Sequence, residues 1–243
     1  MNAAASASGL FIPLCARAPP ISASPEQIGF IVAAYNGFIL FASFLFGRAA
    51  DTRGAGRVLR LGILASAVAA IAQPLAFDPW SLAASRAALG FTVGMYPAAL
   101  LVYSKTADRL MGKFASYGSL GWALGNLVAG LAAQFDPGAF WRVFAISSGL
   151  WFVAFFAAAA MPFVGGAGIR VPLVPLGVIR RNGAVFSMMF VRHTGANMAW
   201  VIFPLFLREV RGFDDLQIGI AYAVNPIVQF AVMQRIDRVR RES

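Results

Sequence analysis

The sequence predicts an all-α polytopic membrane protein, and three observations carry that expectation. Of 243 residues, 59% are hydrophobic and only 12% charged, about half the charged fraction of a soluble domain. Mean hydropathy is +0.72 and the aromatics are dominated by 22 Phe, more apolar side chain than one water-facing core can hide. Seven stretches reach the roughly 20 mainly apolar residues that a bilayer crossing requires. The charges between those stretches alternate from one side to the other.

The spans run Gln27–Phe46, Val58–Phe77, Trp80–Tyr103, Phe114–Phe135, Val143–Val164, Ala184–Leu207 and Leu216–Met233. An eighth apolar stretch, Ala3–Ala16, has 14 residues, too short to cross. It reads as the outer end of a helix whose beginning is missing. Gly and Pro within spans (Gly90, Gly121, Gly125, Gly130, Pro97, Pro204, Pro226) suit close helix contacts and kinks, which a membrane tolerates. Trp80 and Trp141 stand at span ends, where amphipathic rings favour the interface.

One set of connections carries Arg48, Arg53, Arg57 and Arg60; Lys105, Arg109 and Lys113; Arg170, Arg180 and Arg181; then Arg235, Arg238, Arg240 and Arg241. The opposite set carries only Arg17, Arg142, Arg208 and Arg211, while Arg86 and Arg192 fall inside spans. The positive-inside rule places the basic side, and with it the C-terminus, in the cytoplasm of a plasma-membrane protein. The net charge of +10 is therefore a topology signal, and no nucleic-acid partner is expected.

A single cysteine, Cys15, excludes an internal disulfide framework, and one histidine, His193, leaves no metal-ligating cluster. No nucleophile–base set is present, and no phosphate-binding G-x-x-x-x-G-K-[ST] loop occurs. An enzyme and a cofactor are not expected. No basic n-region precedes the first apolar stretch, so a cleaved signal peptide is not expected either.

The first full span opens with Gln27-Ile28-Gly29 and the last with Gln217-Ile218-Gly219, an offset of 190 residues. Tyr35-Asn36 follow the first triplet, and Tyr222 and Asn225 the second. Both spans run from the sparsely charged side to the basic side. Transporters are often built from such repeats, with the substrate at their interface. A repeat of this length predicts a whole protein of about 380 residues, of which this chain holds one half and the opening of another.

Where the first full span meets the basic side, Gly47-Arg48-Ala49-Ala50-Asp51-Thr52-Arg53-Gly54-Ala55-Gly56-Arg57 resembles the G-x-x-x-D-R-x-G-R-R signature of the major facilitator superfamily. Gly47 and Asp51 match in register; Arg53, Gly56 and Arg57 match after one inserted residue. Leu82-x-x-x-Arg86-x-x-Leu89-Gly90 is similar to that family's fourth-helix pattern, with Leu89 where glutamine is usual. Gly121-x-x-x-Gly125-Asn126-x-x-x-Gly130 resembles its antiporter signature, with Asn126 in place of the proline. Generic small-residue packing is the alternative reading of that last motif.

The resemblance implies a facilitator-type helical bundle covering late helix 1 through helix 8 of twelve. Residues 1–164 would form the N-terminal half, 165–183 the cytoplasmic linker and 184–243 the start of the C-terminal half, with helices 9–12 as the natural packing partner. It also implies that Gly47, Asp51, Arg53, Gly56 and Arg57 latch the two halves, and that helices 4 and 7 line a central cavity with Arg86, Tyr96, Arg192, His193, Asn197 and Trp200. A charge within a span is costly and by default functional; snorkelling of Arg86 to the surface is its alternative. The function implied is secondary or facilitative transport of an unidentified small solute by alternating access, with efflux as one form. A non-transporting membrane protein, or a decayed fragment that keeps the fold, is the rival.

Overall fold

The computed structural model describes residues 1–106, 111–135, 138, 140–162 and 176–242. Asp108, Arg109, Asp136, Phe163, Val164 and residues 165–175 of the expected linker, Arg170 among them, lie outside the described residues, as do the side chains of Lys105 and of residues 236–242. Every regular element among the described residues is helical. They are α1 (Asn2–Leu10), α2 (Ile12–Arg17), α3 (Pro25–Arg53), α4 (Ala55–Ile71), α5 (Pro79–Gly94), α6 (Pro97–Thr106), α7 (Met111–Gln134), α8 (Trp141–Ala159), α9 (Leu176–Arg181), α10 (Gly183–Glu209) and α11 (Asp215–Glu242), with one 3-10 turn at Gln73–Leu75.

The boundaries depart from the sequence reading for identifiable reasons. The Gln27–Phe46 span continues as helix to Arg53, because hydropathy falls at the first charge while backbone hydrogen bonding does not. The tight connection to α4 is Gly54 alone, at φ 98°, a conformation glycine adopts without a Cβ penalty. The Trp80–Tyr103 span is two helices, α5 and α6. Pro97 has no N–H and crowds the turn before it, so the α-helix stops at Gly94 and restarts. Ala3–Ala16 likewise breaks at Phe11, two residues ahead of Pro13.

Among the described residues, five segments are long and apolar enough to cross a membrane: Pro25–Arg53, Ala55–Leu75, Pro79–Tyr103, Trp141–Ala159 and Asp215–Arg235. The two other expected spans, α7 and α10, have 24 and 27 residues. Their mean hydropathy is diluted by Gly, Ser and Asn in α7, and by Arg192, His193 and Asn197 in α10. Outward-facing Phe41, Leu40, Val68, Val153 and Phe156 are all exposed, as lipid-facing side chains should be.

Three helices that start at the sparsely charged end carry side-chain N-caps. Ser24 Oγ accepts from Gln27 N while Gln27 Oε1 accepts from Ser24 N. Asp214 and Gln217 repeat the same reciprocal box at α11, and Asp78 accepts from Trp80 N and Ser81 N. The glutamine of the internal repeat is thus an N3 capping residue in both copies, satisfying backbone donors a helix start would otherwise leave unpaired.

Small residues set the packing. α3 crosses α5 where a Cβ on Gly90 would strike the Tyr35 carbonyl, and one on Gly94 would lie 2.8 Å from Ala42 Cβ. α1 lies between α7 and α8: Ser6 Oγ donates to the Trp122 carbonyl at 3.2 Å and Ser147 Oγ to that of Ala4 at 2.7 Å. α4 lies against α8 through Ser148 Oγ and the Ala67 carbonyl at 2.9 Å. The core forms two layers. Toward the sparsely charged end, Phe11, Ile28, Leu82, Phe144, Leu207, Ile218 and Tyr222 cluster, drawing α10 and α11 into contact with the earlier helices. Toward the basic end, Val58, Ile63, Leu89, Tyr96 and Trp151 cluster among the earlier helices alone.

Arg60, a loop cation in the sequence reading, sits on α4 and donates to the carbonyls of Ala158 and Met161 at 3.2 and 3.0 Å. It caps the C-terminus of α8, where a cation complements unpaired carbonyls and the helix dipole. Arg60→Ala is expected to lower unfolding stability in detergent by about 1–2 kcal/mol, with Arg60→Lys recovering part of it. Denaturant unfolding of the two variants measures the effect; no loss in Arg60→Ala would overturn the capping role, and full recovery by Lys would show that the guanidinium fork has no special role.

Candidate functional site

The layered core leaves the bundle closed at one end and hollow at the other. On the basic side a cavity of about 980 Å³ opens between the start of α1, the α5–α6 junction, α6, the first half of α7, the end of α8, and α11. Asn2, Tyr96, Lys113, Tyr117, Trp122 and Gln229 are among the residues that border it. Its walls are chiefly apolar and aromatic with a few placed polar groups, the composition of a small-molecule site. Tyr117 packs on Phe230 of α11 with ring centroids 6.1 Å apart, and Tyr96 is fixed edge-on against Trp151 at 5.5 Å.

Of the residues expected to line a cavity, Tyr96 borders this one and the others do not. Arg86 is 3% exposed, so it does not snorkel. Its Cζ lies 3.9 Å from the centroid of the Tyr35 ring, and Nη1 donates to Gln73 Oε1 at 3.2 Å. Arg86 Nε and Gln73 Nε2 are buried without a partner. Arg86 therefore ties α3, the Gln73–Leu75 turn and α5 together inside the bundle, largely through a cation–π contact.

Arg192, His193 and Asn197 lie on the exposed face of α10. His193 Nδ1 meets the Met189 carbonyl at 2.8 Å and Asn197 donates to that of His193 at 2.8 Å, both within the helix. Only the end of α10 is anchored. Trp200 and Tyr222 meet edge-on with centroids at 4.5 Å, Tyr222 Oη donates to the Trp200 carbonyl at 2.8 Å, and Leu207 is buried. Arg208 and Asp215 form a close ion pair, and Arg17 reaches Glu209 at 3.7 Å across the closed end. The structure thus brings Trp200 to Tyr222 and leaves Arg192 and His193 exposed on α10, outside the cavity lining.

The Gly121–Gly130 motif divides between two neighbours. Gly121 and Gly125 accept α1, a Cβ on Gly125 colliding with the Ala3 carbonyl and Ser6 Oγ. Asn126 and Gly130 face α11: Asn126 Nδ2 donates to the Tyr222 carbonyl at 3.1 Å, and Gly130 meets Gly219. The α7–α11 seam is an antiparallel ladder. Gln134 Oε1 accepts from Leu216 N, Ser119 meets Gln229 at 3.3 Å, and Gln234 Nε2 donates to Ser116 Oγ at 2.9 Å. Asn126, where the resembling motif has proline, is 2% exposed and replaces a bend with an interhelical hydrogen bond.

At the basic end, Gly47, Asp51 and Arg53 are helical in α3, while Gly56 and Arg57 begin α4. Asp51 is half-buried, Gly56 buried, and Arg53 and Arg57 exposed. The segment expected as a loop is a helix–glycine–helix corner.

Sequence reasoning missed Lys113, Tyr117 and Trp122 as cavity residues, because a lipid-facing aromatic and a cavity-facing one look alike in an apolar span. Gln73, a lone amide directly before Pro74 in an apolar run, was a legible signal for a buried polar contact. The sequence pattern of the Major Facilitator Superfamily matches residues 2–242, nearly the whole chain. No curated protein sequence matches it.

Proposed function

The chain belongs to the Major Facilitator Superfamily, and from that premise we propose that it moves a small solute by alternating access, with the cavity at the basic end as the solute's site. The observation that carries this reading is the cavity itself, about 980 Å³ and walled jointly by α1, α6, α7 and α11. The two-layered core supports a form closed at one end and open at the other, the geometry alternating access requires. The loop charges orient the open end to the cytoplasm under the positive-inside rule, and a solute loaded there would be exported. Residues 1–164 and 184–243 act in this reading as parts of two halves that meet along the α7–α11 seam. Asp51 and its neighbours Gly47, Arg53, Gly56 and Arg57 act as the latch that closes the open end.

Cysteine accessibility tests orientation, opening and latch together. In a Cys15→Ser background, Ala115→Cys, on the exposed cavity side of α7, is expected to react with an impermeant thiol reagent in inside-out vesicles and not in right-side-out ones. Leu75→Cys, 76% exposed at the other end, should show the reverse. Asp51→Asn should speed labelling of Ala115→Cys by destabilising the closed form. Labelling of Ala115→Cys from the external face would overturn the orientation, and an unchanged rate in Asp51→Asn would remove the latch.

A further inference from the structure

The cavity carries a charge pattern as well as a volume. Lys113 is the one charged side chain among its described lining, which holds no Asp or Glu and also includes Met1 with its α-amino group. Arg86 does not border the cavity, being held between Tyr35 and Gln73. Lys113 is exposed, near the start of α7, and Tyr117 follows it at i+4. Residues four apart share a helix face, about 6 Å apart along the axis. The cation therefore stands one turn nearer the basic end than the first aromatic ring of α7. Trp122, 46% exposed, borders the same space, and Asn2 and Gln229 supply uncharged polar atoms.

A single charge between low-dielectric walls is felt more strongly than in water. An organic cation entering this space would lose hydration and meet no carboxylate among the described lining. An anion would find Lys113, and an aromatic ring attached to it would reach the aromatic wall. Resting on the reading of this cavity as the solute site, we propose that it takes a small aromatic organic anion, with the carboxylate at Lys113 and the ring against the aromatic lining of α7.

The probes are naphthoate, naphthylmethanol and naphthylmethylammonium, which share a ring and differ in charge, titrated calorimetrically into the detergent-purified 243-residue chain. Naphthoate is expected to bind about tenfold or more tightly than the ammonium, the scale of one charge-assisted hydrogen bond. Lys113→Gln should bring that ratio near one and Lys113→Arg should keep it. Trp122→Leu should weaken all three probes to a similar degree. Equal or tighter binding of the ammonium overturns the anion assignment, and a preference for naphthoate that survives Lys113→Gln overturns the role of Lys113; both leave a solute site in place. Binding of none of the three by chain whose circular dichroism is that of a folded helical bundle removes the solute site itself.

Discussion

Arg86→Ala is expected to lower the unfolding stability of the detergent-solubilised chain by about 3 kcal/mol, and Arg86→Met by no more than about 1 kcal/mol. Alanine would leave a void beside the Tyr35 ring and strip Gln73 Oε1 of its donor, adding a cavity cost to that of an unsatisfied polar group. Methionine fills most of the space. It loses the cation–π contact and the hydrogen bond, but it also removes a buried guanidinium that has no carboxylate partner among its described contacts and one unpartnered nitrogen. Replacing a buried charge with an apolar side chain of similar volume is often close to neutral. Denaturant unfolding of both variants, with naphthoate titration alongside, checks the account. Ligand affinity should change little in either, because Arg86 does not border the cavity. Equal losses for Ala and Met would show that charge and hydrogen bonding dominate over packing at this site. A selective loss of ligand affinity would return Arg86 to the solute site.

The second large effect separates two glycines that the sequence presents as equivalents. A Cβ at Gly219 would lie 2.7 Å from the Asn126 carbonyl and 2.9 Å from Gly130 Cα, while one at Gly29 meets nothing within 4 Å. The neighbours of Gly219 are backbone, so no side chain can turn aside. Gly219→Ala is therefore expected to force α7 and α11 apart, at a cost of about 2–3 kcal/mol. The Asn126–Tyr222 and Ser119–Gln229 hydrogen bonds on the same seam would weaken with it. Gly29→Ala should instead stabilise by up to about 1 kcal/mol, since alanine is the better helix former and the space is open. Thermal unfolding of the pair gives opposite signs if the seam is packed as described. A stabilising Gly219→Ala would show that the two helices do not touch there.

The same two positions show how far the sequence reaches. The Gln-Ile-Gly repeat was visible, and its glutamines do the same work in both copies, because an N-terminal capping box is a local matter of three residues. Its glycines diverge, because what a glycine meets depends on a helix about ninety residues away in one case and on open space in the other. Arg86 and Arg192 make the same point. Each is a lone cation in an apolar span, yet Arg86 is sealed between Tyr35 and Gln73 while Arg192 stays exposed on α10.

The sequence by itself determined the solvent, the helical class, the alternation of ends and the family. Each follows from residue composition, from stretch length against bilayer thickness, or from short motifs such as Gly47 to Asp51 and Leu82 to Gly90. Helix ends, the break at Pro97 and the capping role of Arg60 needed coordinates, since hydropathy falls where charge begins rather than where hydrogen bonding ends. The cavity, the burial of Arg86 and the α7–α11 seam were decided by tertiary structure alone. In water, a polar face and an apolar face reveal which side of a helix points inward. In lipid both sides are apolar, so Trp122 at the cavity and Phe156 at the surface are indistinguishable until the helices pack.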